Sequence, residues 1–225
     1  MNITHYNVHI MNSSDKEDSI TLDILETIEN QSNVTQRLLA DSLGIALGLA
    51  NSYLKRCVRK GLIKIKQVPA NRYLYYLTPK GFTEKSRLTA KFLSSSFDFY
   101  RRASRAYTSL MEQSMARGHG RVILCGLSEL AEIASLRAQE YEIEVVGIYE
   151  PDTKKEKHLG IPIWHEISKL PAADCLVLSA INNTGEIYRQ IKDSGGDIPV
   201  VVPEILAYAV HDHSTPVAHG KDDVE

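Results

Sequence analysis

The sequence predicts an α/β chain in two parts, a small helical unit closed by a two-stranded ribbon and then a doubly wound parallel sheet. Three observations carry this. The hydrophobic period is helical up to about residue 60 and shortens to strand-like alternation between Leu62 and Leu77. After Arg117-Gly118-His119-Gly120, short apolar runs alternate with helical stretches. The charge is also divided. Residues 53–105 carry 14 Lys and Arg against two acids, Glu84 and Asp98, whereas residues 106–225 carry 10 against 19. A basic segment joined to an acidic one implies two units with different surfaces.

In the first part, Ile20, Leu22, Ile24, Leu25 and Ile28 mark one face of a helix over 19–29. Residues 30–33 form a polar break. Thr35 then caps a short helix through Ser42, with Leu38, Leu39 and Leu43 inward, and Gly44 makes the turn. A third helix is expected over 46–60, with Gly61 at its C-terminal cap. Its inward face holds Leu47, Ala50, Leu54, Cys57 and Val58. Two strands around Ile63–Val68 and Tyr73–Leu77 flank a turn at Pro69-Ala70-Asn71-Arg72. Pro79 then opens a helix, as proline does at the first helical position, reaching about Met115 with a break expected near Ser94–Ser96. Three short helices followed by a two-stranded wing make a winged helix-turn-helix.

In the second part, strands are expected over 121–125, 143–149, 161–163, 175–180 and 198–202. Helices are expected over 128–139, near Ile167 and over 185–193. Near-continuous apolar strands separated by helices imply a Rossmann-like parallel sheet. The expected layout is a flexible arm over 1–18, the winged helix-turn-helix over 19–93, a helical linker or dimerisation segment over 94–118, the Rossmann-like domain over 119–210 and a polar tail over 211–225.

Composition narrows the function classes. No apolar run reaches the length of a membrane span, and the polar N-terminus lacks a signal peptide's apolar stretch, so a cytoplasmic protein is expected. Cys57, Cys125 and Cys175 form no CxxC pair, which points away from a zinc or dithiol site. Cys125 and Cys175 are each expected at a strand end, where parallel order could bring them together; inert burial is the simpler reading. On a polar tail, His211, His213 and His219 read as solvated residues. No catalytic constellation assembles, and about 100 residues after the linker hold one small Rossmann-like unit and no catalytic domain, so no enzyme is expected.

The helix after the turn is the one that enters the major groove in such motifs. Opposite its apolar face lie Gly48, Leu49, Ser52, Arg56 and Arg59, with Asn51 and Lys55 on the flanks and no acid among them. Asn51, Ser52 and Arg56 suit base edges, because Asn pairs with adenine and Arg with guanine. Lys55, Arg59, Lys60 and the wing's Arg72 suit phosphates, which position without specifying. Gly48 would let the backbone approach the duplex. The expected partner is double-stranded DNA. Phe82, Leu88, Phe92, Leu93, Phe97, Phe99 and Tyr100 exceed what a three-helix core covers, leaving either a homodimer interface or packing against the C-terminal half.

The run LGIALGLANSYLKRCVRKGLIKIKQVPANRYLYYLTPKGFTEKSRLTAKFL, residues 43–93, resembles MarR-type regulators, in particular the subgroup associated with exopolysaccharide gene clusters. The pieces that carry the likeness are LGI, KGLIKIK and YLTPKGFTEKSRLTAKFL. The resemblance implies a homodimeric transcription regulator on a pseudo-palindromic operator, with surface polysaccharide genes as targets.

In the second part, Cys125-Gly126-Leu127-Ser128-Glu129-Leu130-Ala131 follows a strand and opens a helix. Against the dinucleotide fingerprint G-x-G-x-x-G/A, Gly126 and Ala131 fit, whereas Ser128 replaces the glycine that lets backbone approach a phosphate. Glu150, 24 residues after Gly126, ends the second strand where an acid can bind a ribose hydroxyl, with Asp152 as competitor. Ser128 and Glu129 sit at a helix N-terminus suited to an anion. Asp174, Asn182 and Asn183 flank a strand near the expected ligand edge. Residues 122–180 resemble Rossmann domains of polysaccharide biosynthesis proteins and the N-terminal domains of sialic-acid-type O-acetyltransferases, through VILCGLSELAEIA, VVGIYEPD, GIPIW and LVLSAINN. That implies a nucleotide or sugar-nucleotide effector at Gly126, Ser128, Glu129, Glu150 and Asn182. Two other readings stand beside it: a scaffold without ligand, and an accessory or enzyme-like protein of polysaccharide biosynthesis that uses the winged helix for assembly.

Overall fold

The computed structural model describes residues 13–31, 34–69 and 72–211. It divides between Phe97 and Asp98 into two compact units.

The first unit contains α1 (Ser13–Asn30), α2 (Gln36–Leu43), α3 (Leu47–Arg59), β1 (Ile63–Val68), β2 (Arg72–Leu77) and the start of α4 (Pro79–Ala116). Ile24 and Leu25 of α1 are fully buried, with Leu39, Leu54, Ile63, Tyr75 and Leu88 around them. Each such aliphatic side chain contributes about 1.5–3 kcal/mol by leaving water. Thr35 caps α2 by accepting from the Leu38 amide at 3.1 Å. Lys60 is the C-cap of α3, and Gly61 follows it at φ 72°. The wing is an antiparallel pair in which Ile63 faces Leu77 and Val68 faces Arg72.

Three expectations for this unit are corrected. Residues 13–18 belong to α1 and not to a flexible arm, while residues 1–12 lie outside the described residues. Asp15 suits the helix's positive end, and Asp15 and Asp18 pair with Lys91 at 2.8 and 2.7 Å. Leu38 and Leu47 are 45% and 44% exposed instead of inward. Leu39 and Leu43 already fill the inward face of α2, and Ala50, Leu54 and Cys57 that of α3, one turn further on than Leu47.

The Thr78-Pro79-Lys80-Gly81 run has a complete local explanation. Thr78 donates through its hydroxyl to the Gly61 carbonyl at 2.7 Å and accepts from the Gly81 amide at 3.0 Å, capping α4. Lys80 donates to the Lys60 carbonyl at 2.9 Å. A Cβ on Gly81 would lie 2.1 Å from the Leu62 carbonyl oxygen, so only glycine allows this approach of α4 to the start of β1.

The second unit holds β3 (Arg121–Cys125), α5 (Glu129–Glu140), β4 (Glu144–Tyr149), β5 (Lys157–His158), β6 (Ile161–Trp164), β7 (Cys175–Leu178), α6 (Thr184–Asp193), β8 (Val200–Val201) and α7 (Ala207–His211). The sheet order is β5-β6-β4-β3-β7-β8, parallel throughout except for the β5–β6 hairpin. Without β5 this is the 3-2-1-4-5 order of a doubly wound sheet, with its switch point between β3 and β7. The apolar strands are buried as expected: Val122 to Cys125 are wholly inaccessible.

Several details differ from the sequence reading. The β5–β6 hairpin was not expected, and the helix near Ile167 is a single 3-10 turn over Ile167–Lys169. α4 runs through Ser94–Ser96 without a break, because serine costs little in a helix. Its C-terminal half is not a linker: Ala103, Tyr107, Leu110 and Met111 are buried in the core of the second unit, and the Tyr107 hydroxyl donates to the Leu178 carbonyl at 2.7 Å. Arg117–Gly120 is thus the turn between α4 and β3, and the division into units falls inside the helix. The chain is described to His211, the end of α7; His213, His219 and the rest of the expected tail lie outside the described residues.

Candidate nucleic-acid interface

α3 offers one face to solvent because Ala50, Leu54 and Cys57, spaced at i, i+4 and i+7, bury the other. Gly48, Ser52, Lys55, Arg59 and Lys60 are exposed, and nothing lies within 4 Å of the position of a Cβ on Gly48. No acidic residue occurs in α3. Two of the expected base readers are less free. Arg56 is ion-paired with Glu17 of α1 at 2.6 Å. Asn51 is half-buried, and its Oδ1 is buried without a hydrogen-bond partner. Arg72 opens β2 opposite Val68; its side chain, with Ala70 and Asn71, lies outside what is described.

Further groups complete the face. Lys64 and Lys66 alternate on β1 and are exposed, extending the cationic surface onto the wing. Their strand spacing was visible in the run Ile63-Lys64-Ile65-Lys66. Leu49, 45% exposed at the N-terminal end of α3, offers the kind of apolar group that meets a thymine methyl. Cys57 takes no part: burial pushes its thiol up to about 11.

The crevice of the second unit is built differently. Gly126 has φ 108°, and a Cβ there would sit 2.3 Å from the Ala180 Cβ, so the turn after β3 presses on the chain leaving β7. That approach is fastened by the Ser179 hydroxyl donating to the Gly126 carbonyl at 2.7 Å and the Ser128 hydroxyl donating to the Ser179 carbonyl at 2.5 Å. Ser128 also caps α5 by accepting from the Leu130 amide at 3.1 Å. Glu150, expected to hold a ribose, is buried and accepts from the Leu127 amide at 2.8 Å and the Asp152 amide at 3.3 Å. Its carboxylate occupies an amide of the loop that a phosphate would use. Glu129 is half-exposed at the start of α5, and Asn182 is exposed on the β7–α6 loop.

Two sequence placements are corrected here. Asp174 lies at the opposite end of β7 from the ligand edge, where its carboxylate accepts from the Gly120 and Arg121 amides, both at 2.8 Å. Cys125 ends β3, whereas Cys175 begins β7 opposite Val122. Both are buried free thiols, and desolvation raises both above the usual thiol range.

Residues 17–64 match the family model described as winged helix-turn-helix DNA-binding, in accord with the order of α1 to β1. The N-terminal unit is therefore a winged helix-turn-helix of the DNA-binding kind. No curated protein matches the chain. Among solved structures, a MarR family transcription regulator is similar at 20% identity with a TM-score of 0.34, over 54% of this chain and 66% of that one. Human N-acetylserotonin methyltransferase in complex with SAM is similar at 10% identity with a TM-score of 0.33, over 73% and 67%. An O-methyltransferase from neocarzinostatin biosynthesis is similar at 15% identity with a TM-score of 0.27, over 90% and 68%. The chain spans about two thirds of the length of each.

Proposed function

We propose that this protein is a cytoplasmic transcription regulator that binds duplex DNA through α3 and the wing. The observation that carries the reading is the solvent-facing side of α3, which presents Lys55, Arg59, Lys60 and a bare Gly48, with no acid on the helix. Lys64 and Lys66 place further positive charge on the wing. Cations on one face of a winged helix neutralise phosphates and release counterions. Arg56 completes the set once a phosphate or guanine competes with Glu17, since an exposed ion pair is worth only about 0–1 kcal/mol.

The working form is a homodimer. Phe82, Leu93 and Phe97, spaced along one side of α4, are 48%, 48% and 58% exposed. A second copy covers such a strip by two-fold symmetry and sets the spacing of two half-sites. The second unit serves as the effector-binding half and performs no catalysis of its own. The likeness of residues 43–93 to exopolysaccharide-associated regulators supports surface polysaccharide genes as targets, and the likeness of residues 122–180 to Rossmann domains of polysaccharide biosynthesis proteins supports a nucleotide or sugar nucleotide as effector.

Replacing Lys55 and Arg59 together by alanine tests the DNA reading. The account expects weaker operator binding with an unchanged circular dichroism spectrum. A variant that binds as tightly as the parent removes α3 as the reading helix.

A further inference from the structure

A groove of about 860 Å³ runs along the second unit between α4 and the chain that follows β8. Its volume lies within the range of about 300–1,000 Å³ typical of small-ligand sites. One wall is a single stripe of α4 (Arg102, Arg105, Ser109 and Gln113) and the other is Val201 to Ile205, with Tyr208 at the lip. It is separate from the crevice at Gly126, none of whose residues lines it.

The groove carries two arginines against one carboxylate. Arg101, on the adjacent side of the helix, is held by Asp98 at 2.6 Å. Among the described residues, neither Arg102 nor Arg105 forms an ion pair, and both are exposed. Glu204 is the one carboxylate in the lining and pairs with neither. Two guanidinium forks one helical turn apart suit a tetrahedral dianion better than a carboxylate, which a single fork satisfies. The facing wall is apolar, through Val202, Pro203 and Ile205. Tyr208 is 90% exposed, so its ring has a free face for stacking. Gln113, whose amide donates to the Ser109 hydroxyl at 3.2 Å, supplies polar groups further along the stripe.

We infer that this groove binds a phosphate monoester carried on a planar ring system, of the nucleoside monophosphate class, with Arg102 and Arg105 on the phosphate and Tyr208 against the ring. Calling the ligand an effector rests on the regulator reading; the binding itself does not, and is measured without DNA.

The test is calorimetric titration of the full chain at 150 mM salt with adenosine monophosphate, ribose 5-phosphate, inorganic phosphate and adenosine. Adenosine monophosphate is expected to bind most tightly. Arg102→Ala and Arg105→Ala should each weaken it about tenfold. Tyr208→Ala should weaken adenosine monophosphate several-fold and leave ribose 5-phosphate unchanged. All three positions are exposed, and a circular dichroism melt confirms that each variant is folded. Absence of binding by every phosphate overturns the inference. So does binding that persists in the Arg102→Ala, Arg105→Ala double variant, which would place the ligand elsewhere, and so does an arginine effect on duplex DNA affinity alone. Failure of operator binding with these titrations intact would instead overturn only the regulator reading.

Discussion

The solvent face of α3 and the crevice at Gly126 both carry residues suited to bind anions, yet one is open and the other is closed on itself. On α3 the donors are side chains at the end of flexible stems, and among the described residues only Arg56 of its cations is held in an ion pair. At Gly126 the donors are backbone amides, and the Glu150 carboxylate already accepts from the Leu127 amide, while the Ser179 hydroxyl ties down the Gly126 carbonyl. A motif of the right residue types is thus not a site until its hydrogen-bonding capacity is free. A glycine at a fingerprint position can thus be required by packing, here against Ala180.

The largest expected effects break this contrast at the packing level. Gly126→Ala brings a Cβ within 2.3 Å of Ala180 at a φ that disfavours side chains. It should destabilise the second unit by roughly 2–4 kcal/mol in urea unfolding. Gly81→Ala should act similarly on the winged helix, through the 2.1 Å clash with the Leu62 carbonyl. A tolerated Gly126→Ala would show that the loop has room for a ligand after all.

Of intermediate size is Glu150→Gln. It keeps the shape but removes the charge from the bond to the Leu127 amide, and should cost about 1–2 kcal/mol of stability. A gain of nucleotide affinity in this variant would mark the crevice as a masked site; no gain is expected if the loop serves packing. The cysteines give a further contrast. Burial raises the Cys57 thiol from 9.0 to about 11, so the unfolded chain ionises first as pH rises. The contribution of Cys57 to stability is full below pH 9 and is lost between about 9 and 11, which a pH series of unfolding curves on the parent and Cys57→Ala would register. The smallest effect is that of Glu17→Gln, which releases Arg56. Operator affinity should rise about two- to threefold, in keeping with an exposed pair.

Much of this was legible in the chain because local chemistry determined it. Thr35 and Pro79 marked helix starts, and the Thr78-Pro79-Lys80-Gly81 run signalled the junction of wing and α4. The alternation of apolar strands with helices gave the parallel sheet, though not its order or the β5–β6 hairpin. What was missed depended on interactions between residues far apart in sequence. Residues 13–18 read as a polar arm because their partners, Lys91 and Arg56, lie on other elements. The second half of α4 read as a linker because burial of Tyr107 against β7 is a tertiary fact. Asp174 was set beside the ligand edge, whereas it precedes β7 and holds the Gly120 and Arg121 amides at the other end of the strands, a contact between residues more than 50 apart. The engagement of Glu150 by Leu127 was likewise invisible, as its spacing from Gly126 suited a ribose equally well.

The most direct measurement is fluorescence anisotropy of a labelled duplex from the region upstream of the protein's own gene, titrated with the full chain at salt concentrations between about 50 and 200 mM. The account predicts specific binding that weakens steeply with salt. Lys55→Ala and Arg59→Ala each neutralise one phosphate fewer, so each should make the salt slope shallower by roughly 0.9. Binding that is weak, indifferent to sequence and unchanged in both variants would contradict it.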